Sequence, residues 1–293
     1  MLPRLMPLVR ALRPVQWSKN LFVLAPLVFV GGLTRPPLVI QGLLAFGVFC
    51  CAASAVYLFN DLRDREADRQ HPLKKNRPIA SGALSGTAAG VTALALVALA
   101  SVGALWLGWA FSALILLYLL LNTAYTLGLK NVVILDVMIV SACFVLRVLA
   151  GASAVEASVS RFLILCTTFV ALFLVIAKRR HELILLGEEG ASRQRDVLGS
   201  YTAPLLDQMM NVVTASTVVS YSLYAVAPET AEKYNTQHLV YTIPMVLFGI
   251  FRFLYLVHKE DPRNPTESMI TDLPFVGNLV LWGAAVLVIV YGL

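Results

Sequence analysis

The chain has 293 residues, of which 58% are hydrophobic and 14% charged, and its mean hydropathy is +0.77. A soluble chain carries about 25% charged residues, and at ~20 apolar residues per helix this composition fills about eight or nine membrane spans and little else. That excludes a soluble enzyme, a secreted disulfide scaffold and a DNA-binding module, and it makes the net charge of +6 first a statement about orientation.

The N-terminal arm is basic, with Arg4, Arg10, Arg13 and Lys19. It is long, and no small-residue cleavage site follows the next apolar run, so it reads as a retained cytoplasmic arm rather than a secretory signal. Breaking the apolar runs at charges and Gly/Pro clusters gives nine candidate spans, at about 17–34, 38–59, 86–106, 109–127, 132–151, 161–177, 204–226, 238–257 and 274–291. Each reads as a helix, because a backbone in lipid must satisfy its own hydrogen bonds. The expected fold is an all-α polytopic membrane protein, one integral-membrane domain over residues 1–293. Its cytoplasmic loops, about 60–85, 128–131, 178–203 and 258–273, are expected to cap the site. Cys50, Cys51, Cys143 and Cys166 all sit in apolar runs without CxxC spacing and read as small buried hydrophobes.

With the N-terminus inside, 18 of the 23 Lys+Arg fall on the cytoplasmic side. Arg35, Arg161 and Lys233 fall outside, while Arg147 and Arg252 lie within spans. This is a strong positive-inside pattern. Twelve of the 17 acidic residues also lie on that side, in stretches 61–68, 182–196 and 260–272. Orientation needs only the basic residues, so the acids require another reason.

Taken in chain order, Gln16-Trp17-Ser18-Lys19-Asn20 opens span one. It reads either as interfacial anchors or as a polar cluster that meets a lipid-borne phosphate. Span two ends in Asn60-Asp61-Leu62-Arg63-Asp64-Arg65-Glu66-Ala67-Asp68-Arg69. On a helix extending the span, Asp61, Asp64 and Asp68 share one face. Stacked carboxylates repel unless a cation sits between them, and hard oxygen donors in twos and threes suit Mg²⁺ sharing its shell with substrate phosphates. His71-Pro72 ends that helix, and Lys74, Lys75, Asn76 and Arg77 follow. The plain alternative is a solvated juxtamembrane charge run.

Tyr125 and Lys130 lie at the turn between spans four and five, and Asp136 lies just inside span five. An ionisable residue inside a span is a functional candidate by default; the structural reading pairs Asp136 with Lys130. Arg147 shares the Asp136 face and reads as snorkelling at the outer end, and Arg252 as snorkelling inward. Span six ends in Lys178-Arg179-Arg180-His181-Glu182, followed by Glu188, Glu189, Arg193, Arg195, Asp196 and Tyr201. This run is either a stop signal that sets topology or a phosphate clamp, since arginine forks suit phosphate oxygens. Spans two and six both end in ionic motifs, a weak internal symmetry.

Five segments together resemble the UbiA superfamily of intramembrane prenyltransferases: 13–29, 60–82, 125–137, 144–155 and 178–183. More narrowly they are similar to its decaprenyl-phosphate phosphoribosyltransferase subgroup. Aromatic prenyltransferases of the superfamily carry a second DxxxD motif after span six; here that place holds Lys178, Arg179, Arg180 and Glu182.

The resemblance implies a Mg²⁺-dependent transferase that moves a 5-phosphoribosyl group from phosphoribosyl diphosphate to a polyprenyl phosphate. It places the enzyme in the inner (plasma) membrane with its site facing the cytoplasm, in cell-wall arabinan assembly. Nucleic acid is no partner, and the reading leaves room for an oligomer. Asn60, Asp61, Asp64 and Asp68 would hold the metal, and Tyr125 and Lys130 would join the carboxylates in catalysis. Lys74, Arg77, Lys178, Arg179, Arg180 and Glu182, with Asn60, would bind the substrates, whose phosphates the basic residues among them would hold, and Gln16 and Lys19 would be candidates to steer the acceptor phosphate. The alternatives are prenyl transfer to an aromatic or quinone-precursor acceptor, and a transporter.

Overall fold

The computed structural model describes residues 2–70, 74–194, 196–259 and 265–292. Every regular element among them is helical. In chain order the helices are α1 (Leu2–Leu12), α2 (Ala25–Phe29), α3 (Pro36–Arg63), α4 (Arg65–Gln70), α5 (Gly86–Trp106), α6 (Trp109–Leu127) and α7 (Leu135–Ala154). They continue with α8 (Arg161–Gln194), α9 (Ala203–Val226), α10 (Pro228–Tyr234), α11 (Ile243–His258), α12 (Pro265–Thr271) and α13 (Leu273–Tyr291). Gly187 interrupts α8 with a left-handed φ of 66°.

Eight helical segments are long and apolar enough to cross a membrane, and they coincide with eight of the nine expected spans. The remaining one, 17–34, is built differently. It is a 3₁₀ helix over Pro14–Leu24 followed by the five-residue α2. Pro26 explains the break, since it lacks the donor a continuous α-helix needs there, and Gly31 turns the chain out at φ 68°. The helix stop expected at His71-Pro72 lies outside the described residues, as does Arg195.

The chain divides into two compact units, Met1–Lys130 with Leu146–Ser158, and Asn131–Val145 with Val159–Leu293. One ionic motif belongs to each. In the first, α3 packs along α5 and α6. Phe49 is fully buried and meets Phe111 and Tyr118 edge-on, at ring-centroid distances of 6.1 and 5.3 Å. In the second, α8 packs on α9 around Phe173, Ile176, Leu206 and Met210. Phe173 meets Phe253 edge-on at 4.9 Å. Such aromatic pairs add about 0.5–1.5 kcal/mol beyond their buried area.

Arg147 does not snorkel. It is 4% exposed, and its Nε donates to Asn20 Oδ1 at 2.9 Å and its guanidinium to Tyr118 Oη at 3.1 Å. The guanidinium also stacks over the Phe49 and Tyr118 rings. Arginine spreads its charge over a plane that rings and oxygens can face together. Arg252, in the second unit, reaches Asp272 with two bonds of 3.0 and 2.8 Å, and Asp272 in turn caps α13 by accepting from the Phe275 amide. Those bonds hold the Asp272 carboxyl below its usual value.

Within the first unit, α7 meets the 3₁₀ segment at Gly151, where a Cβ would stand 1.9 Å from the Val23 carbonyl oxygen. Gly151→Ala is therefore expected to destabilise the detergent-solubilised protein by about 1–3 kcal/mol. Gly90→Ala, on a face with nothing within 4 Å, is expected to leave the melting temperature unchanged or slightly raised; thermal unfolding of both variants checks the contrast.

Candidate functional site

Of the three carboxylates expected on one helix face, Asp61 and Asp68 come together on Arg77, while Asp64 goes to Lys130, and the three do not share one helix. α3 ends at Arg63, and Asp64 is its cap at φ −90°, ψ 8°. Asp68 then rises from the short α4. The break turns Asp64 away from its neighbours. Asp61 and Asp68 are buried, at 2% and 4% exposure, whereas the Asp64 side chain is 28% exposed.

Each carboxylate meets a cation, and Asp61 and Asp68 share one. Arg13 spans both oxygens of Asp61, at 2.6 and 2.9 Å. A single Arg77 nitrogen bridges Asp61 Oδ1 at 3.1 Å and Asp68 Oδ2 at 2.7 Å. Lys130 Nζ sits on both oxygens of Asp64, at 2.8 and 3.0 Å. Asn60 accepts from the Thr126 hydroxyl at 3.4 Å, which ties the end of α6 to the same place. Lys130 is thus the partner of Asp64, not of Asp136 as the spacing suggested.

The local backbone explains these positions. Lys130 projects from the tight turn after α6, next to Asn60's partner Thr126. Arg77 follows the 3₁₀ turn Lys74–Asn76, its amide bonded to the Lys74 carbonyl. Arg13 was not expected at the site. It stands at φ 55°, ψ 60°, a left-handed conformation that costs an L-residue about 1–2 kcal/mol. The strain turns the arm so that the guanidinium reaches Asp61 and lies 5.0 Å over the Tyr57 ring.

Tyr125 is half-buried in the last turn of α6, and Gln16, Lys19 and Lys74 are half-buried in the same unit. Hard oxygens from Asn60, Asp61, Asp64 and Asp68 are the donor set Mg²⁺ prefers. Among the described residues no three acidic, histidine or cysteine side chains group closely enough to hold an ion. Arg13, Arg77 and Lys130 occupy the positive positions instead. The donor set fits the ion in its chemistry, with those cations as its competitors.

The second ionic motif is a separate cluster in the second unit. Asp136 is fully buried. It accepts from Arg179 Nε at 3.0 Å and from the Tyr201 hydroxyl at 2.7 Å. That hydroxyl itself accepts from the Ile134 amide at 2.7 Å. Arg179 goes on to Glu182 at 2.9 Å, and Lys178, half exposed, lies 3.8 Å from the same carboxylate. Arg180 pairs with Asp207 at 2.5 Å and donates to the Val257 carbonyl.

Burial and the bond to Asp136 push the Tyr201 phenol up to about 12 from 10.0. The sign follows: the neutral phenol stabilises the fold fully below the ordinary value, and that contribution is lost as pH rises through the folded one. Tyr201→Phe is expected to destabilise by about 1–3 kcal/mol at neutral pH, because Asp136 loses a buried donor. The gap between parent and variant should hold constant up to the tyrosine value of 10.0 and shrink toward about 12; denaturation midpoints measured across that range check it.

Residues 20–282 match the UbiA prenyltransferase family. The chain is 35% identical to the decaprenyl-phosphate phosphoribosyltransferase of Corynebacterium glutamicum over 97% of this chain and 86% of that protein. It is 37% identical to the enzyme of the same name from Mycolicibacterium smegmatis, over 90% and 86%. A solved structure of a UbiA homolog from Archaeoglobus fulgidus bound to GPP and Mg²⁺ has the same fold, with a TM-score of 0.71 at 20% identity over 99% of both chains.

Proposed function

Because the chain belongs to the UbiA prenyltransferase family, as a transferase with multiple membrane-spanning helices, we propose that it transfers a 5-phosphoribosyl group from phosphoribosyl diphosphate to a polyprenyl phosphate of decaprenyl type. The observation that carries the reading is the cluster of Asp61, Asp64 and Asp68 with Arg13, Arg77 and Lys130. It combines carboxylates suited to a divalent ion with guanidinium and ammonium groups suited to phosphate oxygens. The names of the similar proteins support the same substrates.

In the proposed reaction an oxygen of the polyprenyl phosphate attacks the anomeric carbon of the ribose. The bond from that carbon to the diphosphate oxygen breaks, and its electron pair leaves with the diphosphate. A phosphate monoester is already a competent nucleophile, so no activating base is needed. Displacement in one step inverts the anomeric centre. Asp61 and Asp64, with Asn60 and Asp68 beside them, would hold Mg²⁺, which would supply neutralisation of the charge that builds on the departing diphosphate.

The chain's own groups do the rest. Lys74, Arg77 and Lys130 hold phosphate oxygens of the donor, and Tyr125 donates a hydrogen bond to it. Gln16 and Lys19 steer the acceptor phosphate, whose lipid tail stays in the bilayer. In the second unit Lys178, half exposed and 3.8 Å from Glu182, is the member of its run that a phosphate from solvent can reach, while Arg179 and Arg180 orient Glu182 and Asp207. We place the site on the cytoplasmic face of the plasma membrane, where the water-soluble donor is available, and the product in the supply of cell-wall arabinan.

Two reactions run in parallel with the purified protein and Mg²⁺ test this. Labelled phosphoribosyl diphosphate with polyprenyl phosphate should give a labelled lipid; polyprenyl diphosphate with labelled 4-hydroxybenzoate should not. Labelled lipid in the second reaction alone overturns the proposal in favour of prenyl transfer. Asp61→Ala and Asp64→Ala should each lower turnover by about a hundredfold or more, with membrane insertion intact by fractionation.

A further inference from the structure

The helix α1 has two faces of different fate. Leu8, Ala11 and Leu12 pack against Leu58, Ile79 and Leu84. Met6, Val9 and Arg10 lie on the opposite face, one turn apart along the helix. Met6 and Val9 are 60% and 48% exposed, Arg10 is exposed, and just beyond the helix Val15 is 84% exposed. Apolar side chains beside an arginine, on a face that no part of its own unit covers, require a partner.

Three observations say which. The first is level. Leu58 lies in the last turn of α3 before its apolar run gives way to Asn60 and Asp61, and Ala89, in the same cluster, lies in the first turn of α5. Two spans therefore end where α1 crosses, at the boundary between hydrocarbon and headgroups. The second is charge. No Asp or Glu precedes Asp61, whereas Arg4, Arg10, Arg13, Lys19 and Arg35 all do. Arg13 is committed to Asp61, and Arg10 faces outward. The third is shape. A helix with one apolar face on protein and a mixed apolar and basic face outward matches the pattern of a segment lying in a membrane interface.

We infer that the Met6–Val9–Arg10 face of α1, with Val15, is a docking surface for an anionic lipid leaflet, its apolar side chains among the upper acyl chains and Arg10 on lipid phosphates. The seat fixes the arm immediately before Arg13, the residue that neutralises Asp61. Basic residues near an anionic surface add attraction that a neutral surface cannot supply, so the seating depends on lipid charge.

The test is independent of any reaction. Full-length Val9→Trp is reconstituted in vesicles of phosphatidylcholine, or of an equal mixture of phosphatidylcholine and phosphatidylglycerol. Quenching of the added emission is compared with that of the parent. Lipids brominated near the headgroup should quench it, at least about twofold more in the anionic mixture, and aqueous iodide should not. Arg10→Glu in the same background should reduce quenching in the mixture to the phosphatidylcholine level. Met6→Trp repeats the measurement should Val9→Trp unfold. Quenching by iodide overturns the inference, because the face then lies in water. Quenching by neither overturns it in favour of a protein partner such as a second copy. Equal bromolipid quenching in both lipids, with or without Arg10, removes the anionic assignment.

Discussion

A carboxylate at the end of an apolar span has to be neutralised where it stands. Asp61 is almost wholly buried at the foot of α3, and Asp68 nearly as much. An unpaired buried charge costs several kcal/mol, and removing one partner of a buried pair typically costs about 3–5 kcal/mol. Two pieces of chain are drawn in to meet that demand. The arm folds back to deliver Arg13, at the expense of a left-handed backbone, and the loop after α4 delivers Arg77; the turn after α6 delivers Lys130 to the partly exposed Asp64. The first unit is organised around this charge balance as much as around its apolar contacts.

The second unit meets the same demand with other groups. Asp136 has no solvent contact, and an arginine and a phenol hold it, the phenol itself held by a backbone amide. Arg147 is the converse case, a buried cation met by an amide oxygen, a hydroxyl and two ring faces. Every one of these partners is fixed in place by packing, so the charged groups sit in defined positions before any substrate arrives. Under the proposed function that preparation matters. The cations that neutralise the carboxylates are the groups that would grip phosphate oxygens when a divalent ion takes the carboxylates over.

The spans were legible because twenty-residue apolar runs leave few alternatives, and the Asn60-to-Asp68 spacing was legible because repelling carboxylates at a membrane boundary need a reason. Arg77 could be named as a site residue from its nearness in sequence to that motif, whereas Lys130, sixty-six residues from Asp64, could be named only from its place in the turn after span four and from the family resemblance. Their partners could not. Asp136 lies six residues from Lys130 in the sequence, yet it pairs with Arg179, forty-three residues on, because helix packing and not sequence distance decides the contact. Arg13 gave no signal: it is one basic residue among several in an arm, forty-eight positions from Asp61, and its role depends on a backbone turn before Pro14. The 3₁₀ course of the first apolar run was readable in principle from Pro26 and Gly31-Gly32, which hydropathy alone overlooks.

The central claim is that this balanced cluster takes up a divalent ion and the phosphoribosyl donor together. Equilibrium binding of labelled phosphoribosyl diphosphate to the purified protein in detergent, without any acceptor lipid, tests it most directly. Saturable binding that requires Mg²⁺ and disappears in Asp64→Asn is the predicted result. Binding of equal strength with and without the ion, or binding indifferent to Asp64, would contradict it.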